Sequence, residues 1–216
     1  MMRLKRSLAL FVVLAALAPA EAFATSIALD VVGGGSPGFD NRSGSIGWEF
    51  TLNGPVSVTS LGYWDEGANG LVDAHDVGLW TSTGVLLAQT TVTNASPITV
   101  GSTSGLGAWK FQTLATPLDL LPGRYVIGGF YPASSLDFFR FNGTNVSTDP
   151  LVTYQNIRDS VSTPGLVFPG AVGGAGAYFG PDFQFTPSAV PEPASITLTA
   201  LGLAALARAR RRRSTR

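Results

Sequence analysis

The chain has 216 residues, equal numbers of acidic and basic side chains, and no cysteine. The lack of cysteine excludes disulfide bridges, thiol nucleophiles, iron–sulfur clusters and cysteine-based zinc sites. Glycine and proline are frequent, with 26 and 14 residues, which favours many turns and disfavours long helices.

The N-terminus has the parts of a secretory signal peptide in their usual order. Basic residues lie within the first six positions, an apolar run covers residues 8–17, and Ala22-Phe23-Ala24 is a small-residue cleavage motif. The apolar run is shorter than the roughly 20 residues of a membrane span. We therefore expect a signal helix within residues 1–24, removed by signal peptidase after Ala24, with Ala20 as the alternative position.

Residues 25–188 carry the pattern of a β domain. Ile46, Trp48 and Phe50 alternate with small or polar residues, as in a strand that buries one face. Tight connections such as residues 82–84 separate further apolar runs, which is typical of hairpins. The other predicted strands are residues 56–64, 75–81, 85–93, 109–114, 124–131, 136–141, 151–156 and 178–185.

These strands predict an all-β domain, an antiparallel β-sandwich of the jelly-roll type with about eight to ten strands. A closed barrel is the structural alternative. About 165 residues are enough to bury most of the surface that unfolding exposes, so we expect one domain held together by its core.

An acidic loop at residues 65–76 is the sharpest chemical feature of the domain. Counted from Asp65, oxygen ligands fall at positions 1, 5, 9 and 12, namely Asp65, Asn69, Asp73 and Asp76, with a glycine at position 6. This spacing approximates an EF-hand calcium loop, but position 3 lacks an oxygen ligand and the flanks are predicted strands. The loop therefore predicts either a Ca²⁺ site of another geometry or a solvated hairpin loop.

Two tryptophans lie close to this loop in sequence. If exposed, Trp64 and Trp80 would offer ring faces on which a sugar could stack, as in sandwich-type carbohydrate-binding modules. The alternative is that both rings pack in the core.

His75 is the only histidine, which limits the available enzyme chemistry. A Ser-His-Asp triad would have to use it. The Gly-x-Ser-x-Gly spacing occurs at residues 34–38, but in a glycine-rich stretch that we expect to be a surface loop, without the following helix of a nucleophile elbow. A glycosidase needs only two carboxylates about 5 to 10 Å apart, so pairs in the acidic loop keep that alternative open. We expect no catalytic residues and no required cofactor, Ca²⁺ being the one candidate ion.

The C-terminus combines three parts in a fixed order. Val190, Pro191, Glu192 and Pro193 precede an apolar stretch over residues 194–207, and a basic segment follows that consists of Arg208, Arg210, Arg211, Arg212 and Arg213. A 14-residue helix rises only about 21 Å, too little to span the roughly 30 Å hydrocarbon core. The arginines would stay on the cytoplasmic side, which makes the segment a transient membrane anchor.

This tail, residues 189–216, resembles the PEP-CTERM sorting signal of Gram-negative bacteria. The resemblance implies recognition by an exosortase, an integral-membrane cysteine protease that removes the signal and delivers the protein to the cell surface. A second resemblance covers roughly residues 45–135, where residues 61–65, 76–80 and 124–129 are similar to an uncharacterised β-sandwich domain of PEP-CTERM proteins. It implies a fold and brings no catalytic residues.

Removal of both signals would leave an acidic domain. Residues 25–190 hold twelve Asp and Glu against five Lys and Arg, a net charge of −7. That charge disfavours nucleic acid and anionic lipid as partners, because both require a basic surface. The sequence thus predicts an exported, non-catalytic surface or extracellular-matrix protein, as in a biofilm, with extracellular polysaccharide as a candidate partner. A secreted carbohydrate-active hydrolase or carbohydrate-binding module is the alternative.

Overall fold

The structure is a computed structural model that describes residues 24–38, 41–141, 145–173 and 178–188. The predicted signal helix and the predicted tail helix fall on residues 1–23 and 189–216, outside the described residues. The described ranges contain no helix of the length and apolar character that a membrane crossing needs. Their strands, in chain order, are β1 (Ser26–Ile27), β2 (Leu29–Gly33), β3 (Ser36–Gly38), β4 (Gly44–Leu52), β5 (Val56–Glu66), β6 (His75–Thr81), β7 (Leu86–Val92), β8 (Ile98–Gly101), β9 (Gly107–Leu120), β10 (Gly123–Tyr131), β11 (Phe139–Phe141), β12 (Asn145–Thr148), β13 (Val152–Val161), β14 (Ala171–Val172), β15 (Tyr178–Phe179) and β16 (Pro181–Pro187).

Two principal sheets form the domain. One has the strand order β1-β16-β5-β9-β8 and the other β14-β13-β4-β10-β6-β7. Two small sheets, β15-β11-β3 and β12-β2, complete the fold, and every pairing is antiparallel. The prediction of an all-β fold with antiparallel sheets is confirmed, while the jelly-roll order of strands stays a prediction. The predicted count of about eight to ten strands is too low, because the described residues form sixteen, several of them only two to five residues long.

A single aromatic core joins the two principal sheets. Trp48 and Phe50 on β4 pack against Phe183 on β16, with ring centroids 6.1 and 4.9 Å apart. The indole N–H of Trp48 also donates to the carbonyl of Pro181 across the interface, at 2.8 Å. Burying several aromatic side chains in one cluster supplies much of the hydrophobic stabilisation that a cysteine-free domain needs.

The outer face of β4 is covered as well, which the alternating pattern did not indicate. Glu49 points away from Trp48 but is only 2% exposed. Its carboxylate accepts from the guanidinium of Arg158, at 2.7 and 3.2 Å, and lies 3.5 Å from that of Arg124. The arginines compensate the carboxylate, so a charged residue is tolerated on a strand with two buried faces.

Candidate functional site

The acidic loop connects β5 to β6 at one end of the sandwich, and Asp65 fixes its first half. The Asp65 side chain is buried and accepts the backbone N–H groups of Asn69, at 3.1 Å, and Gly70, at 3.0 and 3.1 Å. Gly67 and Gly70 both have positive φ angles, of 77° and 97°, which only glycine adopts without strain. The sequence folds here into a tight loop around one carboxylate.

Asp137 fixes the second half of the loop from the connection that follows β10. Its carboxylate accepts the backbone N–H groups of Val72, at 2.8 and 3.0 Å, and Asp73, at 2.7 Å. The same group lies 3.0 Å from Nε2 of His75. Burial would raise the pKa of Asp137, but the hydrogen bonds from His75 and from the two backbone groups hold this pKa below its usual value.

His75 forms the centre of this network. The ring is fully buried, stacks on Tyr63 with a centroid distance of 3.7 Å, and places Nδ1 2.9 Å from the carbonyl oxygen of Phe130. A carbonyl and a carboxylate only accept, so both bonds form together only when both ring nitrogens carry a proton. Neither nitrogen is then left to activate a serine, and the geometry does not support a triad built on His75.

Ser135 links the loop to the same connection. Its hydroxyl donates to Asp73 at 2.8 Å and accepts the backbone N–H of Asp137 at 3.1 Å. The phenol of Tyr131 in turn donates to the carbonyl of Ser135, at 3.1 Å. Loop and connection are thus one hydrogen-bonded unit.

Glu66 carries a second ion pair at this end. Its carboxylate accepts from the indole of Trp64, at 2.7 Å, and from Arg140 on β11, at 2.5 Å. Arg140 is almost completely buried, at 4% exposure. The pair holds the small sheet β15-β11-β3 against the end of β5.

Three of the four predicted Ca²⁺ ligands have carboxylates that already accept hydrogen bonds from different groups. Asp65 accepts from the backbone, Asp73 from Ser135, and Asp76 from the hydroxyl of Thr91 at 2.6 Å, while Asn69 is exposed. Over the described residues, no group of three or more His, Asp or Glu side chains has the arrangement of a metal site. Ca²⁺ binding stays a prediction, and the loop already has a hydrogen-bonded structure of its own.

We expect Ca²⁺ to leave the melting temperature of the processed protein almost unchanged. An ion would have to replace the hydrogen bonds that already satisfy Asp65 and Asp73, which offsets the free energy gained from coordination. Thermal unfolding in millimolar CaCl₂ and in excess EDTA measures this directly. A rise of several degrees with Ca²⁺ that is lost in Asp65→Asn would establish the predicted site.

The predicted stacking role of Trp64 and Trp80 needs correction, because both rings are buried. Trp64 is fully covered and packs edge to face on Trp109, with centroids 5.0 Å apart. Trp80 is 4% exposed, and a Cβ at Gly78 would come within 2.5 Å of its ring. Phe168 covers Trp80 from outside, with centroids 6.1 Å apart. Neither ring presents a face to a sugar.

Several residues of the network could not be recognised from sequence patterns. Asp137 lies 62 residues from His75 and Arg140 lies 74 residues from Glu66, so no local spacing connects them. The one available signal was indirect. A histidine at the start of a strand, inside a predicted core, needs buried polar partners from elsewhere in the chain.

Two comparisons with known families cover most of the chain. The family described as "Domain of unknown function (DUF4082)" matches residues 32–179, and the "PEP-CTERM protein-sorting motif" matches residues 189–213. The second match confirms the resemblance of the tail, including Pro191, Glu192 and Pro193. No curated protein matches the chain.

Proposed function

The chain belongs to the DUF4082 family and carries a PEP-CTERM sorting motif, and from this premise we propose that it is a structural or adhesive protein of the cell surface or extracellular matrix. The domain acts by binding and not by catalysis. The sorting motif is the observation that carries the proposal.

The motif implies recognition by exosortase during export, and so an exported protein that is sorted to the cell envelope or the extracellular space. The acidic charge of the domain supports a role outside the cell, since polysaccharides and cations abound there and neither requires a basic protein surface. Extracellular polysaccharide is the partner that we propose.

The use of the polar side chains supports a non-catalytic role. His75 and Asp137 hold a loop in place, and Glu66 pairs with Arg140. Groups that donate and accept within the fold in this way stabilise one conformation, whereas catalysis needs groups that face a substrate. In this proposal, the end of the sandwich holds the acidic loop in one conformation at the protein surface.

Replacing Pro191, Glu192 and Pro193 by alanine is expected to block processing of the tail. Intact mass of the protein from envelope and medium fractions measures it: the unchanged chain should have lost both termini, and the variant should keep residues 189–216. The matched control replaces Ser214, Thr215 and Arg216 by alanine, because these residues lie beyond the matched motif. Retention of the tail in the unchanged chain would contradict sorting by this motif.

A polysaccharide panel separates binding from hydrolysis. We expect retention of the processed protein on at least one extracellular polysaccharide without release of shorter products. Hydrolysis that disappears in Glu66→Gln but persists in Asp119→Asn, an exposed carboxylate on β9, would establish the hydrolase alternative instead.

A further inference from the structure

One lateral side of the sandwich consists of two uncharged edge strands. β7 ends the six-stranded sheet and β8 ends the five-stranded sheet. Both lie within residues 77–109, a stretch without any Asp, Glu, Lys, Arg or His. In a domain of net charge −7, this is the side on which two copies approach with least repulsion.

β7 has the properties of a strand open to pairing. In the described part of the chain its ladder partner is β6 alone. It is seven residues long and contains no proline or charge, and its first residue, Leu86, is 44% exposed and follows Val85 at 59%. Its ladder to β6 shifts register once, at a β-bulge that leaves Leu87 without a ladder partner. Proteins usually protect such edges with charges, prolines, bulges or very short strands; of these devices β7 has the bulge alone, and residues 88–92 beyond it pair regularly with β6.

The opposite side of the sandwich differs in the length of its edge strands. Its edge strands are β1 and β14, of two residues each. Charged residues lie next to both edges, since β14 pairs with Arg158 and Asp159, and Thr91 on β7 pairs with Asp76. The contrast leaves β7 as the longest edge strand of the two principal sheets.

A second copy of the chain fits this edge better than a charged partner does. Antiparallel pairing of two identical strands has two-fold symmetry, so one patch serves both copies. No like charges come to lie opposite each other, because β7 has none. Threonine and valine, which supply three of its seven residues, favour cross-strand packing.

We propose that β7 of one copy pairs antiparallel with β7 of a second copy, which joins the two six-stranded sheets into one continuous sheet. The proposal goes beyond the surface role above and does not rest on it. A sorted protein that stays monomeric would contradict only the pairing, and a dimer that is not sorted would contradict only the surface role.

Cysteine cross-linking tests the pairing cleanly, since the chain has no cysteine of its own. Gln89 is the middle residue of β7 and is exposed. If the two-fold axis of the dimer passes between the two copies of residue 89, the cysteines of Gln89→Cys lie opposite each other. Their Cα atoms are then about 4.5–5.5 Å apart, which is within the range of a disulfide. Thr91→Cys detects a pairing whose centre is shifted along the strand.

We expect the disulfide dimer of the processed Gln89→Cys or Thr91→Cys protein to form at least about tenfold faster than that of Leu121→Cys, because pairing raises the effective concentration of the thiols. Leu121→Cys is the control for thiol accessibility, because Leu121 is 74% exposed but lies in the turn before β10 and not on β7. Equal rates for all variants, or fast cross-linking only of Thr99→Cys on β8, would overturn the proposal.

Sedimentation velocity of the unsubstituted protein provides a second readout. Dimerisation should strengthen with added salt, which screens the repulsion between two acidic copies, and should weaken at least about tenfold in Leu86→Lys/Gln89→Lys, where like charges oppose each other. Leu121→Lys should match the unsubstituted protein. A monomer at every concentration and salt, or assembly beyond the dimer, would overturn the proposal.

Discussion

Replacement of Asp137 by alanine is expected to lower the free energy of unfolding by about 3–5 kcal/mol, the range found when one partner of a buried ion pair is removed. Asp137 accepts from His75 and from the backbone of Val72 and Asp73. Without it, a buried imidazole and two N–H groups lose their acceptor together. The cost comes mainly from these unsatisfied donors, because the methyl group of alanine replaces none of the bonds.

Urea denaturation of the processed protein measures this loss, and three further variants assign it to the pair: Asp119→Ala, His75→Ala and His75→Ala/Asp137→Ala. Asp119→Ala removes an exposed carboxylate and should change stability by less than about 0.5 kcal/mol. The double variant His75→Ala/Asp137→Ala should cost less than the sum of the single variants, because the two residues interact. Additive effects would show that the pair is not coupled in the folded protein.

The same pair predicts how stability responds to acid. The pKa of Asp137 is lower in the folded protein than in the unfolded chain, so its contribution is complete above about pH 4, the usual pKa of an aspartate, and is lost as pH falls through the folded value. Asp137→Asn should therefore lose less stability than the unsubstituted protein between pH 4 and pH 2. An identical acid dependence in both would contradict the assigned shift.

The strands that the sequence pattern identified are those with a strong apolar period. The predicted range 75–81 coincides with β6, and the predicted range 124–131 is β10 without its first residue. Alternation revealed these strands because their inner faces carry large side chains into the core. Six short strands of two to five residues were missed, namely β1, β2, β3, β8, β12 and β14. Segments of that length hold too few residues to show a period.

The sequence predicted only the part of the site that residues close together in the chain form. The carboxylates of the loop stood out because they follow one another in the sequence, and the structure does place that loop at one end of the sandwich. What each carboxylate does depends on residues far away in the chain. Asp73 accepts a hydrogen bond from Ser135, which lies 62 residues further along the chain. The order of the strands brings the two residues together, and no local sequence spacing indicates it. The burial of Trp64 likewise depends on β9 and on Glu66.

Asp182 is expected to make the protein less stable as pH rises, the reverse of the effect of Asp137. Its side chain on β16 is fully buried, and neither carboxyl oxygen has a hydrogen bond of good geometry, although the backbone N–H groups of Phe183 and Leu29 are near. Burial, with a smaller contribution from the charge of Asp30, raises the pKa of Asp182 well above its usual value. The folded protein therefore holds the proton that the unfolded chain releases near pH 4.

Asp182→Asn removes this dependence, since the amide is neutral at every pH and nearly equal in shape. Relative to the unsubstituted protein, the variant should gain about 1.4 kcal/mol for each pH unit between the unfolded pKa and the folded pKa. Its advantage should thus vanish below pH 4, grow as pH rises above 4, and level off once pH passes the folded pKa of Asp182. Asp119→Asn, an exposed change on β9, should show no such trend.

Urea denaturation at several pH values separates this ionisation from a simple change in packing. A packing defect in Asp182→Asn would shift stability by the same amount at every pH, because no proton is involved. A gain that grows with pH can come only from a group that the folded state keeps protonated. If the two proteins differ by a constant amount from pH 4 to pH 8, Asp182 is ionised in the folded state, and the sandwich must then supply donors to its carboxylate.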